Sequence, residues 1–249
     1  MKKIIYDIGS NNGDDIPYYL LKSDLVIAIE ANPKLCNLIS ERFSKEINHG
    51  KLVVENCVVQ NEESNEDVSF YIHKTNHVLS CFPKPKNLQD FEEIKIQSKN
   101  IEQIIKKYGE PFYIKIDIEG SDYSILSAIL NNKIFPPYIS CESHTIDIFA
   151  ALVACKKYKS FKLVDGASVI KKFYNLEIST NLGKQKYSFP HHSAGPFGND
   201  ITGPWMTADN FFQLLGLVGL GWKDIHATNI DEPDINFKPK PQVNITVKY

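Results

Sequence analysis

Several apolar runs of this chain end in acids, and the spacing of those acids defines the chemistry open to it. The run Ile4-Ile5-Tyr6-Asp7-Ile8 leads straight into Gly9-Ser10-Asn11-Asn12-Gly13. A Gly-bounded loop between a strand and a helix lets backbone approach a ligand closely. The run Leu25 to Ile29 ends in Glu30-Ala31-Asn32-Pro33. An acid about twenty residues past such a loop stands where a ribose diol is held. Lys115-Ile116-Asp117-Ile118-Glu119-Gly120 places two carboxylates at another strand end, suited to a cationic ligand or a proton donor. The run Tyr138 to Glu142 continues into Ser143-His144 on the same rim. A hydroxyl is a poor nucleophile until it loses its proton, and an imidazole titrates near neutrality, so His144 is the best-placed base. The plainer alternatives are that Asp117 caps the helix near Ser121 and that His144 is a structural histidine bonded to Glu142.

These side chains need a scaffold that gathers strand ends. Strands are expected at Lys3–Ile8, Leu25–Glu30, Leu52–Val59, Phe112–Asp117, Tyr138–Glu142 and Phe161–Val164, with a further short one at Val68–Ile72. Helices are expected at Asp15–Lys22, Lys34–Lys45, Ile101–Tyr108, Ser121–Asn131 and Asp147–Lys157. Regular alternation of this kind predicts a parallel α/β sheet with helices on both faces, whose ligands bind at the strand C-termini. The first loop reads Asp-x-Gly-x-x-x-Gly and has no glycine at Asn11. It therefore lacks the G-x-G-x-x-G of nicotinamide-dependent oxidoreductases, which disfavours that reading.

Taken together, Asp7-x-Gly9-x-x-x-Gly13, Glu30-Ala31-Asn32-Pro33, Asn56-Cys57-Val58 and Lys115-x-Asp117-x-Glu119-Gly120 resemble the class I S-adenosylmethionine-dependent methyltransferases, and among them the FkbM-type family. The resemblance covers roughly residues 3 to 166. It implies a Rossmann-like, doubly wound, mostly parallel seven-stranded sheet and S-adenosyl-L-methionine as cofactor. Asp7, Gly9, Ser10, Asn11 and Gly13 would hold the methionine part. Glu30 would hold the ribose, with Ala31 beside it also touching the cofactor, Asn56, Cys57 and Val58 would flank the adenine, and Asp117 would lie beside the sulfonium. Many class I members carry an acid at the position of Cys57, so adenine recognition here is expected to rest on backbone and apolar packing. The family also implies a hydroxyl acceptor on a sugar, glycan or natural product, with His144, Asp117 and Glu119 as catalytic candidates. A cofactor-binding subunit without transfer activity is the alternative. Phe135-Pro136-Pro137-Tyr138 is similar to the Asn/Asp-Pro-Pro-Tyr signature of amino-group methylation. Phe135 cannot accept a hydrogen bond, and two prolines more simply separate a helix from a strand.

Beyond Gly166 the character changes. Residues 167–240 are rich in Asn, Gly, Pro, His and aromatics, and are expected to be a loop-rich, substrate-covering insertion. The core would be 1–166, and 241–249 would return as a final strand within a single domain. Within the insertion His191 and His192 are expected to touch substrate, as is Glu142 on the rim. Phe211–Trp222 would be a partner surface or a buried helix, leaving the oligomeric state open. No two histidines show metal-ligand spacing on one element, so no metal is expected. At 249 residues, 43% apolar and a formal charge of −2, the chain can fill a core and shows no basic field for nucleic acid. The 5 cysteines are scattered, which fits reduced thiols in the cytoplasm. No secretion signal is recognisable, and the longest apolar stretch is too short to span a bilayer.

Overall fold

The computed structural model describes residues 2–62 and 66–240. In chain order the strands are β1 (Ile4–Ile8), β2 (Leu25–Glu30), β3 (Leu52–Asn56), β4 (Val58–Gln60), β5 (Asp67–His73) and β6 (Phe91–Asn100). They continue with β7 (Tyr113–Ile116), β8 (Tyr138–Ser143), β9 (Ser160–Asp165), β10 (Leu176–Thr180), β11 (Gly183–Tyr187) and β12 (Gly221–Thr228). The helices are α1 (Ile16–Lys22), α2 (Pro33–Arg42), α3 (Ser44–Asn48) and α4 (Ile101–Tyr108), then α5 (Asp122–Asn131), α6 (Asp147–Ala154), α7 (Val169–Lys172) and α8 (Ala208–Val218). Among the described residues no helix is long and apolar enough to cross a membrane.

The central sheet has seven strands in the order β3-β2-β1-β7-β8-β12-β9. Neighbours from β3 to β8 pair parallel, and β12 runs antiparallel to both β8 and β9. Every residue of β1 and β2 is buried, which is why both read as mainly apolar runs, interrupted in β1 by Asp7 and closed in β2 by Glu30. Alternation along β1 sends Ile4, Tyr6 and Ile8 into one apolar cluster, with Ile125, Ile129 and Phe211, and Ile5 into a second cluster.

The second cluster is closed in part by chain with no helix or strand period. Phe197 stacks on Tyr113, with ring centroids 4.1 Å apart and planes 10° apart. Asp15, at the start of α1, accepts hydrogen bonds from Ser193 Oγ and from Ala194 N, the latter at 3.0 Å. Tyr18 donates to Asp200 at 2.7 Å, and Lys22 pairs with the same oxygen at 2.6 Å.

The stretch 167–240 is therefore not simply a cover laid over a finished core. It supplies β12, the strand wedged into the sheet, and a plug centred on Phe197 for one sheet face. The expected final strand at 241–249 lies outside the described residues. Phe211–Trp222 is not one element either: Phe211 is buried in α8, Phe212 is exposed, and Trp222 belongs to β12. The expected strand Leu52–Val59 breaks at Cys57. There β4 leaves the main sheet and joins β6 and β5 in a separate three-stranded sheet, β4-β6-β5.

Candidate active site

The C-terminal ends of β1, β2 and β7 are tied to one another by backbone. Gly9 N donates to Ile29 O at 2.9 Å, and Asp117 N donates to Ile8 O at 3.0 Å. This crossing leaves no room for a side chain at Gly9: a Cβ there would stand 1.7 Å from Asp117 O, and its φ is +86°. Two residues on, Asn11 holds φ +48°. Asparagine is among the few non-glycine residues that adopt this conformation readily, so the absent glycine costs the turn little.

Glu30 is the pivot of the loop. Its Oε2 accepts from Asn11 N and its Oε1 from Asn32 N, both at 2.8 Å. Burial pushes its carboxyl up to about 7, against the pull of those two donors. Asn56 Nδ2 donates to Glu30 O at 2.9 Å and Ala31 O at 3.1 Å, fixing the turn from behind.

These strand ends open into a cavity of about 350 Å3. Of the residues expected from sequence, Gly9, Asn11, Glu30, Ala31, Cys57, Val58, Asp117, Glu119, Glu142, His144 and His192 line it. Asp7, Ser10, Gly13, Asn56 and His191 are not in its wall. Ser10 Oγ donates to Asp7 O, and Gly13 N donates to Ser10 O, so these residues shape the turn without facing the cavity. Asp7 lies on the opposite side of its strand from Ile8 and is 1% exposed. There Lys115 Nζ lies 3.6 Å from Asp7, 3.2 Å from Asp117 and 3.2 Å from the Gly9 carbonyl. Burial works against the Lys115 charge, but Asp117 and Asp7 outweigh it and hold the amine firmly cationic. Lys115 thus joins the two strand ends whose loops form the floor.

At the other end of the cavity three side chains converge. His144 Nε2 lies 2.9 Å from Glu142 Oε2 and 3.8 Å from Glu119 Oε2. Burial and the nearby Asp117 raise both the Glu142 and the Glu119 carboxyls. Glu119 takes φ +46°, an uncommon backbone for a residue with a side chain, and Gly120 beyond it takes φ +98°. This local geometry is found where Glu119 reaches the cavity wall. Asp122 accepts from Ile118 N at 2.9 Å and Gly120 N at 3.2 Å, which stabilises the turn.

Sequence reasoning missed the roof. Phe70, His77, Val78, Ser80 and Phe82 line the cavity from β5 and the segment that follows it, and Trp222 lines it from β12. Of the covering insertion expected at 167–240, His192 and Trp222 line the cavity, while Ser193 to Gly198 are buried. His73, the neighbour of His77 in sequence, accepts Thr75 N and Asn76 N at Nδ1 and organises its own turn. Asp224 and His226 are buried and do not line the cavity. Burial drives the His226 imidazole down to about 3. Cys57 is 1% exposed, and burial pushes its thiol up to about 12, so it offers an apolar wall and no thiolate.

A sheet of this order, with an antiparallel strand next to the last edge, an acid closing β2 and a cavity at the β1/β7 switch point, defines a class I S-adenosylmethionine-dependent methyltransferase fold. Within that class, the Methyltransferase FkbM domain family matches residues 7–161, and the chain belongs to it. No curated protein matches the chain. It is similar to the solved structure of the methyltransferase FkbM from Methylobacillus flagellatus KT, at 18% identity and TM-score 0.43, over 66% of this chain and 40% of that one. It is also similar to M. capricolum TrmK, solved with S-adenosylhomocysteine, at 18% identity and TM-score 0.38, over 65% of this chain and 56% of that one. A SAM-dependent O-methyltransferase from Thermotoga maritima is similar at 7% identity and TM-score 0.39, over 94% of this chain and 62% of that one. The chain thus spans about two fifths to three fifths of the length of these structures, and likenesses this distant carry no argument about acceptor.

Proposed function

We propose that the protein transfers a methyl group from S-adenosyl-L-methionine to a hydroxyl of a small molecule or glycan. The observation that carries the cofactor reading is the Glu30 loop. A buried carboxylate lines the cavity after β2, beside Asn11, whose Oδ1 is buried without a hydrogen-bond partner. Glu30 fits a ribose diol, the free Asn11 oxygen fits an ammonium donor, and Ala31, Cys57 and Val58 offer an apolar slot for a purine. Asp117 fits the cationic end. When bound, the cofactor supplies a methyl group on positive sulfur, which passes to the incoming oxygen while the carbon–sulfur electron pair stays on sulfur.

The chain's own task is to bring the acceptor into line and relieve it of its proton. Glu119, Glu142 and His144 stand together at the acceptor end and are the residues assigned to that task. Phe82, Trp222 and His192 supply flat faces suited to a sugar ring or another cyclic acceptor.

Calorimetry tests the cofactor. S-adenosylmethionine and its demethylated product bind, and NAD does not; the reverse result removes the proposal. A screen of glycans, nucleotide-sugars and hydroxylated small molecules with labelled cofactor then identifies the acceptor. On that acceptor, His144→Ala lowers turnover at least 100-fold and leaves cofactor affinity within about threefold. Unchanged turnover would release His144 from its assigned role.

A further inference from the structure

We infer that Glu119, Glu142 and His144 form a binding site for a divalent cation at the acceptor end of the cavity. The inference rests on the methyltransferase reading above and states how its proton-removing group works. One oxygen from each carboxylate and one imidazole nitrogen all lie within 4.8 Å of one another. Ligand atoms about 2.1 Å from a first-row divalent ion stand roughly 3 to 4.2 Å apart. The 2.9 Å and 3.8 Å separations from His144 Nε2 match that span. Glu119, whose side chain is 33% exposed, has room to close the remaining distance.

A second observation is independent of this clustering. Glu142 is 5% exposed, and its Oε2 is buried without a hydrogen-bond partner. It approaches His144 Nε2 closely, yet the pair does not have hydrogen-bond geometry. Both residues line the cavity, and a buried carboxylate oxygen without a hydrogen-bond partner beside an imidazole nitrogen is what a shared cation requires.

The surroundings also lack a cation of their own. No lysine or arginine lines the cavity among the described residues. Lys115 is engaged with Asp7 and Asp117. Asp224 pairs with Glu142 across the β8–β12 ladder and adds another buried carboxylate, whose Oδ1 has no hydrogen-bond partner. Two carboxylates with one imidazole suit Mn2+, Zn2+ or Mg2+, and three protein ligands leave positions open for an acceptor oxygen. There the acceptor O–H bond breaks with its electron pair staying on oxygen, and the proton passes to solvent water. The cation, rather than a free imidazole, then acidifies the hydroxyl.

The test is Mn2+ titration of the full chain, freed of metal and saturated with S-adenosylhomocysteine, followed by electron paramagnetic resonance. One Mn2+ binds per chain, and binding weakens at least tenfold in Glu142→Gln and in Glu119→Gln. Glu119 is the more exposed of the two, so its variant remains informative if the first does not fold. S-adenosylhomocysteine affinity stays within about threefold in both and reports that each is folded. Absence of saturable Mn2+ binding, or binding unchanged in both variants, overturns the inference while leaving the methyltransferase reading intact. Failure of S-adenosylhomocysteine itself to bind overturns both. Full transfer activity after dialysis against a chelator also overturns the cation site alone.

Discussion

Asn11 and Glu30 carry the site at the scale of single residues. One takes a backbone conformation usually left to glycine, and the other takes that residue's N–H into its carboxylate, so loop shape and the charge proposed to meet the ribose are one device. Its pH dependence follows from the Glu30 carboxyl at about 7. That value is raised, so the folded chain holds the proton more tightly than the unfolded one. The cost of a buried charge is felt above about pH 7 and relieved as pH falls toward the ordinary carboxylate range. Ligand binding runs the other way, because ribose hydroxyls donate to the ionised form. Calorimetry with S-adenosylhomocysteine will show affinity about tenfold lower at pH 6 than at pH 8. Glu30→Gln will bind weakly at both, with that slope gone. Gly9 permits a second prediction. A methyl group there meets the Asp117 carbonyl in a backbone region hostile to side chains. Gly9→Ala will cost roughly 3 kcal/mol or more of stability in urea unfolding, and cofactor binding will be lost.

At the scale of elements, legibility followed burial. The strands β1, β2, β7 and β8 were readable because sheets covered on both faces demand continuous apolar runs. The acids at their ends were readable because polar residues stand out against such runs. Trp222-Lys223-Asp224-Ile225-His226 did not read as a strand, although Asp224, Ile225 and His226 are all buried in β12. Its polar residues are buried beside other polar residues of the same sheet face, which hydropathy cannot register. The strand β6 was missed for the opposite reason. Glu92, Glu93, Lys95 and Gln97 face solvent on a small sheet with little core of its own. The cavity roof was thus lost to sequence reasoning even though Val68–Ile72 had been recognised. The plug at 189–206 has no period at all, because its side chains are held singly by rings and hydrogen bonds. Phe197→Ala tests its weight. The ring is 2% exposed and packs against Tyr113, Tyr138 and Tyr18. Its removal will cost roughly 3–5 kcal/mol in chemical unfolding.

At the scale of the whole molecule, the motifs proposed to hold the cofactor and the parts that stabilise them lie far apart in sequence. The main-sheet pairing of β9 is to β12 alone, and β12 also covers the edge of β8. A chain cut after residue 166 keeps every motif by which the family is recognised. It loses β12, the Phe197 plug and α8, and it exposes the sheet face carrying Tyr113 and Tyr138. Such a fragment will show no cooperative thermal transition by circular dichroism and no cofactor binding, whereas the full chain shows both. A stable, cofactor-binding 1–166 fragment would refute this dependence.

The ties from α1 to residues 193–200, and the late arrival of β12, also bear on how the protein is made. The first helix is synthesised well before its partners: Ala194 and Asp200, which bind Asp15, Tyr18 and Lys22, follow roughly 180 residues later. At ordinary elongation rates of about 5–20 residues per second, roughly 10–40 s separate Lys22 from Thr228. Throughout that interval the nascent polypeptide carries an uncovered aromatic surface and an unfilled gap in its sheet. Shielding of that surface during synthesis is therefore expected to influence how much of the protein reaches its native state.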